Sequence, residues 1–130
     1  MATVSDVMTS GSILSIGPDT PVAEAATVMG ERRVGSALVM EGERLAGIFT
    51  ERDIVRALGA HHDAAGHPVS EWMTANPMTV APETPAEDAL RTMLDRNFRH
   101  LPIVDGDRIL GIVSMRDLTA AGVADVRGGS

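Results

Sequence analysis

The sequence predicts an α/β (α+β) fold built twice, as two tandem units that each carry a small, mostly antiparallel sheet and two helices. Three observations lead there: an internal repeat, an order of helix, strand, strand, helix in each copy, and a short polar motif at the same place in both. Displaced by 64 positions, Thr20-Pro21 falls on Thr84-Pro85, Met29 on Met93, Gly42 on Gly106, Gly47-Ile48 on Gly111-Ile112 and Arg52-Asp53 on Arg116-Asp117. From Thr20/Thr84 to Val55/Thr119, eleven of thirty-six pairs are identical, and duplication explains the agreement. Upstream, Val4-Ser5-Asp6-Val7-Met8-Thr9 matches Val69-Ser70-Glu71-Trp72-Met73-Thr74 at a spacing of 65, so one extra residue lies between Thr9 and Thr20.

Each element has a local cause. Thr20 and Thr84 are expected as N-caps with proline at the first helical position, and Glu87 completes a capping box with Thr84. Helices are expected over about Pro21–Arg32 and Pro85–Asn97. The sets Val22, Ala25, Ala26, Met29 and Ala86, Ala89, Leu90, Met93 recur at three and four residues and give each helix one buried stripe. Aliphatic strands follow at Ala37–Met40 and Leu101–Val104. Glu41-Gly42-Glu43 and Asp105-Gly106-Asp107 are hairpin turns leading to strands at Leu45–Phe49 and Ile109–Val113. Second helices, Glu51–Leu58 and Met115–Ala121, are expected to stop at Gly59 and Gly122. The domain organisation expected is repeat 1 at 1–59, a surface linker at 60–68, repeat 2 at 69–122 and a disordered tail at 123–130.

Composition narrows the function. The chain has 130 residues, 44% of them hydrophobic, which suffices for a packed core. No apolar run approaches the roughly 20 residues that span a bilayer, and Met1–Ser10 lacks a basic and an apolar region, so a cytoplasmic protein without membrane partners is expected. The absence of cysteine excludes disulfides, thiolate metal sites and cysteine nucleophiles. Eleven scattered arginines against eighteen acidic residues give a net charge of −7 and argue against nucleic acid. Phe49, Trp72 and Phe98 are the only aromatics, too few for a stacking platform. His61, His62 and Asp63 stand adjacent in the linker, where neighbouring side chains seldom converge on one ion, so no metal site is expected.

The chemistry sits at the end of each second strand: Gly47-Ile48-Phe49-Thr50-Glu51-Arg52-Asp53 and Gly111-Ile112-Val113-Ser114-Met115-Arg116-Asp117. Thr50 with Asp53, and Ser114 with Asp117, have the spacing of an N-cap and its third-position acid, so plain capping accounts for either pair alone. The rest of the pattern points to a ligand as well. It places a glycine where a ligand could approach the backbone, a helix N-terminus that favours phosphate, and a carboxylate suited to ribose hydroxyls.

The duplicated unit, the Met-Thr before each first strand and both Gly-hydrophobic-hydrophobic-[Ser/Thr]-x-x-Asp stretches resemble the CBS domain family in its tandem-pair form, the Bateman module. The resemblance covers about Val4 to Gly122. It implies two copies packed sheet to sheet with pseudo-twofold symmetry and two clefts for adenosine ligands: AMP, ADP, ATP or S-adenosylmethionine. By the same resemblance the module is regulatory and non-catalytic, forms a disc-like homodimer and acts on a regulated protein that the sequence does not name.

Carried over residue by residue, the ribose-binding aspartates correspond to Asp53 and Asp117, and the neighbouring hydroxyls to Thr50 and Ser114. The apolar residues that sandwich the base, from the first strand and the start of the next strand of the opposite copy, correspond to Leu14 and Val34, and to Met78 and Phe98. Simple core packing is the other reading of these four. Arg99-His100 precedes the strand of copy two where copy one has Gly35-Ser36, so the cleft of Ser114 and Asp117 is expected to hold a phosphorylated adenosine better. A ligand-free homodimerisation or protein-interaction module is the alternative. An enzyme is not expected, because there is no Gly-rich phosphate loop, His-Glu-x-x-His or nucleophile elbow.

Overall fold

A computed structural model describes residues 2–8 and 13–124. The described chain runs α1 (Val4–Val7), β1 (Ser15–Ile16), α2 (Val22–Arg32), β2 (Ser36–Glu41), β3 (Arg44–Thr50), α3 (Glu51–Ala60), β4 (Thr74–Ala75), α4 (Ala86–Arg96), β5 (His100–Asp105), β6 (Arg108–Ser114) and α5 (Met115–Ala120). Short 3₁₀ turns at Ala64–Gly66 and Val69–Glu71 lie between α3 and β4.

Two compact units emerge, and they do not follow the sequence repeats. One comprises 12–77; the other gathers 1–11 with 78–130. The segment before each copy therefore docks on the other copy's unit, through matching hydrogen bonds. Val69 N–H donates to Thr20 C=O at 2.8 Å and Ser70 N–H to Pro18 C=O at 3.1 Å; Val4 N–H donates to Thr84 C=O at 2.8 Å and Ser5 N–H to Pro82 C=O at 3.1 Å. Val69 and Val4 are both fully buried, anchoring each segment by burial of one β-branched side chain, worth about 1.5–3 kcal/mol.

In the 12–77 unit the sheet order is β1-β2-β3-β4. β1 is parallel to β2, and the other pairings are antiparallel. The two-residue turn at Gly42-Glu43 has Gly42 at φ 62°, as a tight hairpin requires. The second unit repeats the hairpin in β5 and β6, with Gly106 at φ 63°, and both hairpins shift register at the equivalent place, Val39/Met40 and Ile103/Val104. Val80 makes a parallel bridge to Ile103 where β1 lies in the other unit. Each sheet packs on its own helical stripe: Val22, Ala25 and Met29 with Phe49 in one core, and Ala86, Ala89, Leu90 and Met93 with Leu118 in the other.

Several local expectations are corrected. Pro21 and Pro85 occupy the N-cap position in extended conformation, so Thr20 and Thr84 lie one residue outside the helices and neither caps them by a side chain. Glu87 forms no capping box. Gly59 lies inside α3, which ends at Ala60, while Gly122 at φ 80° does follow the end of α5. The stretch expected as a surface linker is part of the 12–77 unit: Ala64 is fully buried and packs with α2 and α3. Of the tail, residues 125–130 lie outside the described residues.

Candidate functional site

β3 and β6 each deliver their motif to a helix start, where β2 or β5 begins alongside. Thr50 pairs across the ladder with Ser36, and Ser114 with His100. The backbone ties are equivalent, Glu51 N–H donating to Gly35 C=O at 3.1 Å and Met115 N–H to Arg99 C=O at 2.8 Å. Residues 35–36 and 99–100 are thereby fixed beside the helix N-termini.

Both motifs form complete capping boxes. Thr50 N–H donates to Asp53 Oδ2 at 2.9 Å, and Asp53 N–H approaches Thr50 Oγ1 at 3.4 Å. In the second copy Ser114 N–H donates to Asp117 Oδ2 at 2.8 Å and Asp117 N–H to Ser114 Oγ at 3.0 Å. Plain capping is thus real in both copies. Two of the first three amides of each helix are engaged, Glu51 and Asp53 in one and Met115 and Asp117 in the other, so any phosphate there depends on side chains rather than on a row of open N–H groups.

The copies differ in what surrounds the carboxylate. Asp53 is 4% exposed, and its second oxygen accepts from Arg56 Nη1 at 2.8 Å. Asp117 is half-buried, and Ala120 stands at the position equivalent to Arg56. His100 is half-buried and Arg99 exposed, at the strand end that pairs with Ser114. The first copy offers Ser36, 7% exposed, in place of His100.

Among the apolar candidates, Leu14 is 6% exposed and belongs to the core of the 12–77 unit, with half-buried Val34 against that core. Met78 and Phe98 are half-buried against the core of the second unit. Leu14 and Val34 therefore share a unit with Thr50 and Asp53, and Met78 and Phe98 share one with Ser114 and Asp117.

The motif glycines have a packing cause that the sequence reading missed. A Cβ at Gly47 would lie 2.5 Å from Met73 Sδ and 2.8 Å from the Thr74 carbonyl; one at Gly111 would lie 3.0 Å from Met8 Sδ. The space read as room for a ligand is filled by the methionine of the docked segment. The recurrence of Met-Thr upstream of both motifs was the available signal.

Arg56 and Trp72 were also missed. The Arg56 guanidinium carbon lies 6.0 Å from the Trp72 ring centroid, and the His61 ring is 6.1 Å away on an edge. In the linker it is His67 whose ring nitrogens lie near carboxylates, 3.8 Å from Asp63 and 3.0 Å from Glu71. No group of three or more metal-ligating residues occurs among the described residues, nor is any described helix long and apolar enough to cross a membrane.

Comparison with known proteins agrees with this architecture. The sequence profile of the CBS domain matches residues 4–60 and 69–124. The CBS domain-containing protein YhcV of Bacillus subtilis is 34% identical over 130 residues, covering 100% of this chain and 92% of that protein. An uncharacterized 17.7 kDa protein of Acidianus ambivalens is 40% identical over 123 residues, 93% of this chain and 74% of its own. Among solved structures, a CBS-domain-containing protein from Agrobacterium tumefaciens superposes with a TM-score of 0.86 at 28% identity, covering 94% of this chain and 100% of that one. A CBS domain protein from Pyrobaculum aerophilum complexed with AMP gives 0.80 at 28% identity over 90% of each chain. A CBS domain pair in complex with 5′-methylthioadenosine and S-adenosyl-L-methionine gives 0.83 at 25% identity, over 93% of this chain and 95% of that one. With two profile matches in series and these relatives over nearly its whole length, the chain belongs to the CBS domain family, as a tandem pair.

Proposed function

We propose that this chain is a regulatory, non-catalytic module that binds an adenosine nucleotide, AMP, ADP or ATP, chiefly at its second copy. The observation that supports the reading is that Arg99 and His100 begin the strand paired with Ser114, whose cap partner is Asp117. Asp117 accepts the ribose hydroxyls, while Arg99 and His100 supply charge and donors for phosphate. Half-buried Met78 and Phe98, in the same unit as Asp117 and not in the opposite copy as the resemblance implies, offer apolar surface for the base. Relatives of the same fold solved with AMP or with S-adenosyl-L-methionine support an adenosine ligand. Binding alters how the module packs with itself, as a homodimer, or with a regulated protein in the cytoplasm.

A second reading, a ligand-free homodimerisation or interaction module, is favoured by one feature of α3: Val55 is 72% and Leu58 46% exposed, three residues apart on one face. A thermal-shift titration of wild type and Asp117→Ala with AMP, ADP, ATP, S-adenosylmethionine and NAD separates the two. A ligand at 100 times its Kd adds about 2.7 kcal/mol. A rise in Tm with one adenosine ligand, lost in Asp117→Ala, is expected; flat curves for all five favour the interaction module.

A further inference from the structure

We infer that Arg56, held over Trp72, latches the carboxylate of Asp53 and biases the first copy's ribose site against a ligand, a device whose two residues the second copy replaces. The inference rests on the function proposed above and adds a specificity-determining residue to it. In the first copy Oδ2 of Asp53 is consumed by the cap with Thr50, leaving Oδ1 as the oxygen to meet a ribose hydroxyl. That oxygen is taken by Arg56 Nη1 at 2.8 Å, and the Asp53 side chain is only 6% exposed. A diol approaching Asp53 must displace a guanidinium from a charge-assisted hydrogen bond.

Trp72 holds the guanidinium in place. The 6.0 Å separation between the Arg56 guanidinium carbon and the ring centroid is within cation–π range. Trp72 comes from the segment that docks beside β3, so the latch has one half on α3 and the other on that segment. The duplication supplies the comparison: at the positions equivalent to Arg56 and Trp72 the second copy has Ala120 and Val7. Arg56 is 56% exposed, and an ion pair this open to water is weak, so the latch biases the first site without sealing it.

The test is isothermal titration with AMP. Wild type compared with Asp117→Ala examines the function itself, since binding lost with Asp117 locates a ligand at the second copy whatever Arg56 does. Asp117→Ala compared with Asp117→Ala/Arg56→Ala examines the latch, and removing Arg56 is expected to tighten the remaining, first-copy binding about two- to fivefold. Unchanged or weaker binding overturns the latch, weaker binding meaning that Arg56 itself contacts the ligand. Trp72, the only tryptophan, provides a ligand-free readout. Its emission is expected to change in Arg56→Ala with the fold intact by circular dichroism, and an unchanged spectrum overturns the contact. If no protein in the set binds AMP, the latch falls together with the function.

Discussion

Replacing Gly47 by alanine tests the claim that the motif glycine makes room for a docked segment. The new Cβ would stand 2.5 Å from Met73 Sδ and 2.8 Å from the Thr74 carbonyl oxygen, both far inside van der Waals contact. Met73 has three rotatable bonds and can retreat. The carbonyl cannot, because β4 is paired to β3 at Gly47↔Ala75 and Ile48↔Thr74, and Asn76 N–H donates to Ala46 C=O at 3.0 Å. The cost therefore falls in the upper part of the overpacking range, about 2–3 kcal/mol. Part of it is offset by the reduced freedom of alanine in the unfolded chain, about 0.4–1 kcal/mol, leaving a net loss of about 2 kcal/mol. At Gly111 the close contact is Met8 Sδ at 3.0 Å, with other Met8 atoms at 3.9 Å and beyond, so Gly111→Ala should be close to neutral. Urea denaturation followed by far-ultraviolet circular dichroism reads the difference. With m of about 1–3 kcal/mol/M, Gly47→Ala lowers the midpoint by about 1 M while Gly111→Ala hardly moves it. Adding Met73→Ala to Gly47→Ala should restore only part of the loss, since the Thr74 carbonyl stays. Equal midpoints for the two alanine variants would refute the reasoning.

The other predictions concern caps and segments. Arg33 ends α2 at φ 56°, where Asn97 ends α4 at φ 59°; Arg33→Gly removes the left-handed penalty and should raise stability by about 1 kcal/mol, read as an increase in Tm. Val4→Ala leaves a hole in the second unit's core and should cost about 2 kcal/mol by chemical denaturation, although Val4 precedes the first copy in sequence. The Thr3 backbone N–H, donating to Asp6 at 2.9 Å, holds the Asp6 carboxyl below the ordinary carboxylate range. A folded value below the unfolded one gives stability that is present above the unfolded value and lost as pH falls through the folded one. Asp6→Asn should accordingly be less stable than wild type at neutral pH, with the gap closing in denaturation curves taken below about pH 4.

Much of this molecule was legible because it is written twice. Element order and the helical stripes follow from hydrophobic period, and the four hairpin strands lie within a residue of their expected bounds, while β1 and β4 had none. Caps were harder to read: Thr20-Pro21 fits either a threonine cap with proline at the first helical position or a proline cap, and the extended Pro21 resolves it. Gly59 was read as a stop, but α3 runs on to Ala60. The exchange of leading segments could not be read from the chain, because Val4 and Val69 are the same residue in the same local pattern and either could fill either core. In the motif, Thr50/Asp53 and Ser114/Asp117 follow from spacing, whereas the partners that distinguish the copies, Arg56 and Trp72, stand at positions where the two copies differ. Their difference from Ala120 and Val7 acquires meaning only when Asp53 and Arg56 are seen 2.8 Å apart.

The central claim is that an adenosine nucleotide binds beside Ser114 and Asp117, and a site-resolved titration tests it most directly. Adding AMP to ¹⁵N-labelled protein should shift the amides of Phe98, Arg99, His100 and Ser114 to Asp117 most strongly, with smaller changes around Thr50 to Asp53. Absence of any saturable shift, or shifts confined to α3 around Val55 and Leu58, would contradict the account and make this chain an interaction module.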